Sequence, residues 1–134
     1  MRVVVDTSVW SEYFRRKLPQ NTEHVEVLKR LVLQDRAVVL GIVQQEILSG
    51  VREDGRFEVL LNAISGFKPL LATEADHILA ARFYNICRRR GVQGSFGDLL
   101  ICAQSFNNRM GLLSSDKDFQ YYQTLLPIKL NPVN

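Results

Sequence analysis

The sequence has few of the features that mark membrane or secreted proteins. No apolar run approaches the ~20 residues that a bilayer-spanning helix requires, and the one arginine and three valines before Asp6 do not form a signal peptide. The two cysteines, Cys87 and Cys102, fall in helical patterns, which favours buried free thiols and a cytoplasmic protein. The two histidines, His24 and His77, are expected to be surface or hydrogen-bonded residues rather than metal ligands.

The chain otherwise has the composition of an ordinary globular domain. Its 134 residues, 46% of them apolar and 23% charged, suffice for one domain with one core, which we expect to span residues 1–134. The net charge is +3, from 17 basic and 14 acidic residues. If five of the acidic residues share one pocket, the remaining surface is strongly basic, which suits a metal-dependent nuclease. Charge alone leaves equally open a basic protein with no polyanionic partner.

Short apolar runs alternate with stretches of helical periodicity. The first run, Val3–Val5, is typical of a strand buried on both faces in a parallel sheet. Strands separated by helices form parallel sheets with helices on both faces, so we predict a three-layer α/β/α fold with a five-stranded parallel sheet and about seven helices. The other four predicted strands are Ala37–Leu40, Phe67–Leu71, Gly111–Leu113 and Ile128–Leu130.

Five acidic residues stand where this fold brings distant parts of the chain together. In a parallel α/β domain, helix N-termini and strand C-termini share one edge of the sheet, and ligands bind there. Asp6 ends the first strand, and Asp116 follows the fourth strand, with Asp118 two residues further on. Glu46 falls in the first turn of the helix after the second strand, and Asp98 opens the helix before the fourth strand. We therefore expect these five carboxylates to converge.

The acidic residues have two interpretations. Each one alone is explained by the preference of carboxylates for the first turn of a helix. As a group they repel, because two carboxylates about 4 Å apart cost roughly 4 kcal/mol at an effective dielectric near 20. Such a cluster persists only with protons or cations, and an all-oxygen ligand set suits Mg²⁺ or Mn²⁺.

The chain contains four motif segments in the order Asp6–Trp10, Gln45–Gly50, Gly97–Ile101 and Leu113–Phe119. Together they resemble the signature of the PIN-domain family. The overall form is similar to the VapC-type toxins of toxin–antitoxin pairs, and the resemblance covers nearly the whole chain. A haloacid-dehalogenase phosphatase would need an acid two residues after Asp6, where this chain has Ser8.

The resemblance implies a Mg²⁺- or Mn²⁺-dependent endoribonuclease that cuts cellular RNA and so inhibits translation. It also implies a homodimer, or a larger toxin–antitoxin complex, silenced by a small cognate antitoxin whose C-terminal segment occupies the active-site groove. The alternative within the family is an RNA-processing nuclease outside a toxin–antitoxin system.

The resemblance further implies roles for individual residues. Asp6, Asp98 and Asp116 are expected to hold the principal metal, and Asp118 corresponds to a fifth acid present in many members. Glu46 is expected to share a second metal or to orient the attacking water. The expected products of the reaction are a 5′-phosphate and a 3′-hydroxyl. Ser8 and Ser114 stand where the family often has a hydroxyl that supports the site. The four catalytic acids are thus Asp6, Glu46, Asp98 and Asp116.

A run of three arginines, Arg88–Arg89–Arg90, ends the predicted long helix. Cations at a helix C-terminus complement its dipole, which is one sufficient explanation. The alternative is contact with RNA phosphates, because a short loop joins the run to the helix of Asp98. Secondary candidates for RNA contact are Arg15, Arg16, Lys17 and Lys117, whereas the aromatic stripe of Trp10, Tyr13 and Phe14 is expected to be core or subunit interface.

Overall fold

The computed structural model describes residues 1–14 and 22–133. Three parallel strands form the sheet in the order β2-β1-β3, with β1 at Val3–Val5, β2 at Ala37–Val38 and β3 at Gly111–Leu113. Val4 and Val5 point to opposite faces of the sheet and both are fully buried, so helices cover the two faces as predicted. Three secondary candidates for RNA contact, Arg15, Arg16 and Lys17, lie outside the described ranges.

Seven helices are present in the described residues, which agrees with the predicted number. Two of them begin at capping threonine side chains: Thr22 and Thr73 accept backbone N–H groups at the starts of α2 and α5. The helices are α1 Thr7–Tyr13, α2 Glu23–Leu33, α3 Gly41–Leu48, α4 Asp54–Ile64, α5 Glu74–Arg89, α6 Phe96–Asn107 and α7 Asp118–Leu125. None of those helices combines the length and apolarity that crossing a bilayer demands.

The prediction of five strands is wrong, because the two outer segments make only single bridges. In the segment Phe67–Leu71, Leu70 makes both bonds of the bridge, to the carbonyl of Val39 and the N–H of Gly41, and the pairing stops there because α3 begins at Gly41. In the segment Ile128–Leu130, the bridge uses the carbonyl of Lys129 and the N–H of Asn131, both bonded to Leu112. It does not continue to the preceding pair because the N–H of Met110 bonds the carbonyl of Ser105 at 2.9 Å. Both segments lie beside the three-stranded sheet, through the bridges Leu40↔Leu70 and Leu112↔Leu130.

The boundary of α3 also differs from the prediction, and this moves one acid along its helix. The helix begins at Gly41 because the extended Leu40 precedes it and the N–H of Gly41 bonds the carbonyl of Leu70 at 3.0 Å. Glu46 therefore lies in the second turn of α3, not the first.

Trp10, on α1, is fully buried and packs on Phe67 with 4.8 Å between ring centroids, which agrees with its predicted place in the core.

Candidate active site

Asp6 lies directly after β1, and its N–H donates to the carbonyl of Leu113 at the end of β3. Its side chain is only 3% exposed, and a buried carboxylate needs hydrogen-bond donors. The hydroxyls of Ser8 and Ser114 supply them, each donating to Oδ2 of Asp6 at 2.7 Å. Both hydroxyls bond the same oxygen, so Oδ1 of Asp6 is left for another partner.

The segment after β3 is tied to the segment after β1 by the same two serines. The oxygen of Ser114 accepts the N–H of Asp116 at 3.0 Å, and the oxygen of Ser8 accepts the N–H of Ser115 at 3.2 Å. One residue further, the N–H of Asp118 donates to Oδ1 of Asp116 at 2.9 Å. These bonds fix Asp116 and Asp118 beside Asp6, although β1 and β3 are far apart in sequence.

Three of the predicted acids lie close enough to share one cation. Asp98, Asp116 and Asp118 each offer a carboxylate oxygen, and these oxygens lie within 4.8 Å of one another. Burial raises the pKa of Asp98 to about 6, and the charges of Asp6 and Asp116 add to the rise against the hydrogen bonds from Tyr122 and Ser95. The ionised form of Asp98 is therefore costly unless a cation neutralises the cluster.

Glu46 reaches the same place from α3. Its Oε1 accepts a hydrogen bond from the hydroxyl of Thr7, the residue that follows Asp6. A Cβ on Gly97 would lie 2.5 Å from Oε2 of Glu46, so only glycine lets the carboxylate approach the start of α6 this closely. The structure thus brings all five acids to one edge of the sheet, with Asp6 and Glu46 beside, but outside, the close group of three.

Tyr122 belongs to this site, and the sequence interpretation missed it. Its hydroxyl donates to Oδ2 of Asp98 at 2.9 Å, and burial together with the Asp98 carboxylate raises the pKa of Tyr122. Thr7 and Ser95 were missed as well; Ser95 caps α6 by accepting the N–H of Asp98 at 3.0 Å. A signal existed for Tyr122, because it stands one helical turn after Asp118 and so shares its helix face.

The donor set fits a hard divalent cation. Only carboxylate oxygens make up the close group, and for Asp98 burial and the neighbouring charges outweigh the hydrogen bonds that favour its ionised form. Mg²⁺ and Mn²⁺ favour such oxygen ligands, whereas zinc sites usually include histidine or cysteine.

The three arginines lie exposed at the end of α5, and none pairs with a carboxylate of the described residues. Gly91, at φ 76°, turns the chain back, with the N–H of Val92 bonding the carbonyl of Cys87 at 2.9 Å. The chain then runs within a few residues to Ser95 and Asp98. Arg88 lines a cavity of about 280 Å³ together with Tyr84 and Gln93.

The fold and the site define an α/β protein with an acidic, metal-type centre at the carboxyl edge of a parallel sheet. The chain belongs to the PIN-domain family, because the model of the PIN domain matches residues 3–125. This confirms the resemblance seen in the four sequence segments.

Individual relatives and solved structures agree with this assignment. The chain is 32% identical over 121 residues to Ribonuclease VapC11 of Mycobacterium tuberculosis and, equally, to VapC ribonuclease Mb1587 of Mycobacterium bovis; the match covers 87% of this chain and 88% of each relative. FitAcB from Neisseria gonorrhoeae has the same fold, with a TM-score of 0.75, 19% identity and 97% of both chains covered. VapBC2 from Rickettsia felis, bound to a promoter DNA fragment, gives a TM-score of 0.75 at 12% identity and 98% coverage of both chains.

Proposed function

We propose that this chain is an endoribonuclease that acts as the toxin of a toxin–antitoxin system and inhibits translation by cutting cellular RNA. The observation that carries the proposal is the convergence of five acidic side chains at one edge of the sheet. Two mycobacterial relatives named as VapC ribonucleases support the choice of RNA as substrate and favour a toxin over an RNA-processing nuclease.

Each acid has a distinct task in this proposal. Asp98, Asp116 and Asp118 hold Mg²⁺ or Mn²⁺, with Asp6 presenting its free Oδ1 to the same centre. When bound, the cation lowers the pKa of water and stabilises charge on the phosphodiester oxygens. Glu46, held by Thr7 through Oε1, uses Oε2 to accept a hydrogen bond from the attacking water and so orient it. The products are a 5′-phosphate and a 3′-hydroxyl.

The surface charge suits an RNA substrate. Apart from the five site acids, the chain has 17 basic residues and only nine acidic residues. Arg88, Arg89 and Arg90 extend from the end of α5, joined to the site by residues 90–95, and are placed to bind phosphates that flank the cut. Lys117, exposed between two of the site acids, is a further phosphate contact.

The partners in this proposal are a small antitoxin and a second copy of the chain. Several structural neighbours come from toxin–antitoxin systems, among them VapBC-5 from Mycobacterium tuberculosis. An apolar cavity of about 570 Å³ adjoins the site between α3, α5 and α6, and Phe96 beside it is 79% exposed. Apolar surface of this kind favours a protein contact. The two buried free cysteines accord with the reducing cytoplasm, where we place the protein.

Cleavage of purified cellular RNA by the isolated chain tests the proposal. We expect cleavage with Mg²⁺ or Mn²⁺, none with a chelator, and ends that carry 5′-phosphates. Asp116→Asn should lower the rate by at least about a hundredfold, since it removes a metal ligand. The control Asp54→Asn changes an acid in the first turn of α4 and should keep full activity. A folded wild-type chain that cuts no RNA with either metal would refute the nuclease.

Expression in cells separates the toxin from a processing enzyme. A toxin arrests translation when it is expressed alone, and co-expression of the small protein encoded beside it restores growth. Normal growth under expression of an active wild-type chain would favour the RNA-processing alternative.

A further inference from the structure

Tyr122 is buried among apolar groups, yet its hydroxyl points at a charged side chain. The residue is 1% exposed, and its hydroxyl lies 2.9 Å from Oδ2 of Asp98. The bond joins α7 to the first turn of α6, and β3 lies between these two helices in the sequence. A neutral hydroxyl donating to a carboxylate is among the stronger hydrogen bonds, because the acceptor carries charge.

The ring of Tyr122 is clamped, so the direction of its hydroxyl is fixed. Phe119, one turn earlier on α7, packs edge-on against it with 5.2 Å between ring centroids. Gly94 also lies close to the ring: an added Cβ there would lie 3.5 Å from Cε1 of Tyr122 and would overlap the side chain of Leu99. A side chain held in this way can orient its partner to within a fraction of an ångström.

The hydroxyl decides which oxygen of Asp98 remains available. It occupies Oδ2, as the two serine hydroxyls occupy Oδ2 of Asp6 and the hydroxyl of Thr7 occupies one oxygen of Glu46. Among the residues that the structure describes, each of these three acids therefore has one oxygen bonded to a hydroxyl and one without such a bond. Tyr122 and Asp118 also lie one turn apart on α7. This helix therefore supplies the centre with the Asp118 carboxylate and with the hydroxyl that bonds Asp98.

We propose that Tyr122 is a positioning residue of this centre: its hydroxyl holds the Asp98 carboxylate so that the other oxygen faces the divalent cation shared with Asp116 and Asp118. The inference rests on the proposed function. A purely structural role, in which a buried hydroxyl merely finds an acceptor, predicts no change in metal affinity when the hydroxyl is removed.

Tyr122→Phe removes the hydroxyl and keeps the ring. Tyr121→Phe is the matched control, because Tyr121 is the neighbouring residue on α7 and is 62% exposed. The test measures Mn²⁺ binding to metal-stripped protein from the free-ion signal in electron paramagnetic resonance. We expect Tyr122→Phe to weaken Mn²⁺ binding about tenfold, as is usual when a ligand loses its hydrogen-bond partner, and Tyr121→Phe to leave it within about twofold.

Two further measurements separate positioning from a general loss of structure. In the Asp98→Ala background, where the hydroxyl has no side-chain oxygen to bond at position 98, Tyr122→Phe should change the remaining Mn²⁺ affinity by less than about twofold, because the two residues act through one bond. Cleavage by Tyr122→Phe should recover when Mn²⁺ is raised about tenfold, with an unchanged KM for RNA. In the wild type, Mn²⁺ should perturb the tyrosine absorption band, and the change should persist in Tyr121→Phe, which tests the contact even if Tyr122→Phe does not fold.

The outcomes distinguish this inference from the function on which it rests. Wild-type protein that binds no Mn²⁺ would overturn the metal-dependent nuclease and this inference together. Equal Mn²⁺ affinity in the wild type and Tyr122→Phe, or a tyrosine band unmoved by Mn²⁺, would overturn the positioning role alone and leave the nuclease intact.

Discussion

Replacing Asp98 by asparagine should abolish cleavage and yet stabilise the metal-free protein at neutral pH. Burial, with the charges of Asp6 and Asp116, raises the pKa of Asp98 from 3.8 to about 6. Two pKa units correspond to about 3 kcal/mol, which we reduce to roughly 1–2 kcal/mol because the side chain is partly exposed to solvent. Asparagine carries no charge and still offers an oxygen to the Tyr122 hydroxyl, so it removes the cost of burying a charge, together with the repulsion from Asp6 and Asp116, without losing that bond.

The gain from Asp98→Asn should depend on pH with a definite sign. Between about pH 4 and pH 6 the folded wild type binds more protons at this carboxyl than the unfolded chain does, so its stability falls as the pH rises. The variant lacks this loss. Its advantage is therefore full above about pH 6 and vanishes below about pH 4, where the wild-type carboxyl is protonated in both states.

Asp76→Asn provides a control of opposite sign. Asp76 is also buried, at 3% exposure, but it accepts the N–H of Thr73 and the amide of Asn107, each at 2.8 Å. Burial acts to raise the pKa of Asp76, but the hydrogen bonds from Thr73 and Asn107 outweigh it and lower the pKa. Asp76→Asn should therefore destabilise the protein by about 1–3 kcal/mol at pH 7, a cost that shrinks only as the pH falls below about 4.

Urea denaturation of chelator-treated protein, followed between pH 4 and pH 7.5, measures both variants. Added Mg²⁺ or Mn²⁺ should then raise the melting temperature of the wild type more than that of Asp98→Asn, because the variant has lost a ligand. An Asp98→Asn variant less stable than the wild type at pH 7, or an equal metal-induced shift in both proteins, would refute a shared pocket of repelling acids.

Two further changes probe the approach of Glu46 and the contact with RNA. Gly97→Ala would place its Cβ 2.5 Å from Oε2 of Glu46 and should cut the cleavage rate at least about tenfold with little change in the unfolding midpoint, whereas Gly55→Ala, with open space around it, should cut RNA normally. Full activity in Gly97→Ala would exclude a role for the Glu46 position. Arg88→Gln should weaken RNA binding and flatten the slope of log affinity against log salt by about 0.7–0.9 per lost phosphate contact, with Mn²⁺ binding unchanged. Arg2→Gln, which removes a charge before β1, is its control. Equal salt slopes for Arg88→Gln and the wild type would mean that the arginine run is only a solvated helix end without RNA contact.

The order of elements and the identity of the acids followed from local pattern alone. Three valines before Asp6 marked a buried strand, and the parallel topology then required the ends of β1 and β3 to meet at one edge. That rule brought Asp6, Asp98 and Asp116 together without any knowledge of side-chain positions. Ser8 and Ser114 came from the family resemblance, and both bond Asp6.

The features that depend on contacts between elements could be determined only from the folded structure. The outer strands reduce to single bridges because α3 begins directly after Leu40 and the N–H of Met110 bonds the carbonyl of Ser105, which a pattern of apolar residues cannot reveal. Tyr122 reads in the sequence as one more core aromatic, and only packing turns its hydroxyl to Asp98. Hydrophobic periodicity records which side chains leave water, whereas the partners that buried polar atoms find depend on how the elements pack.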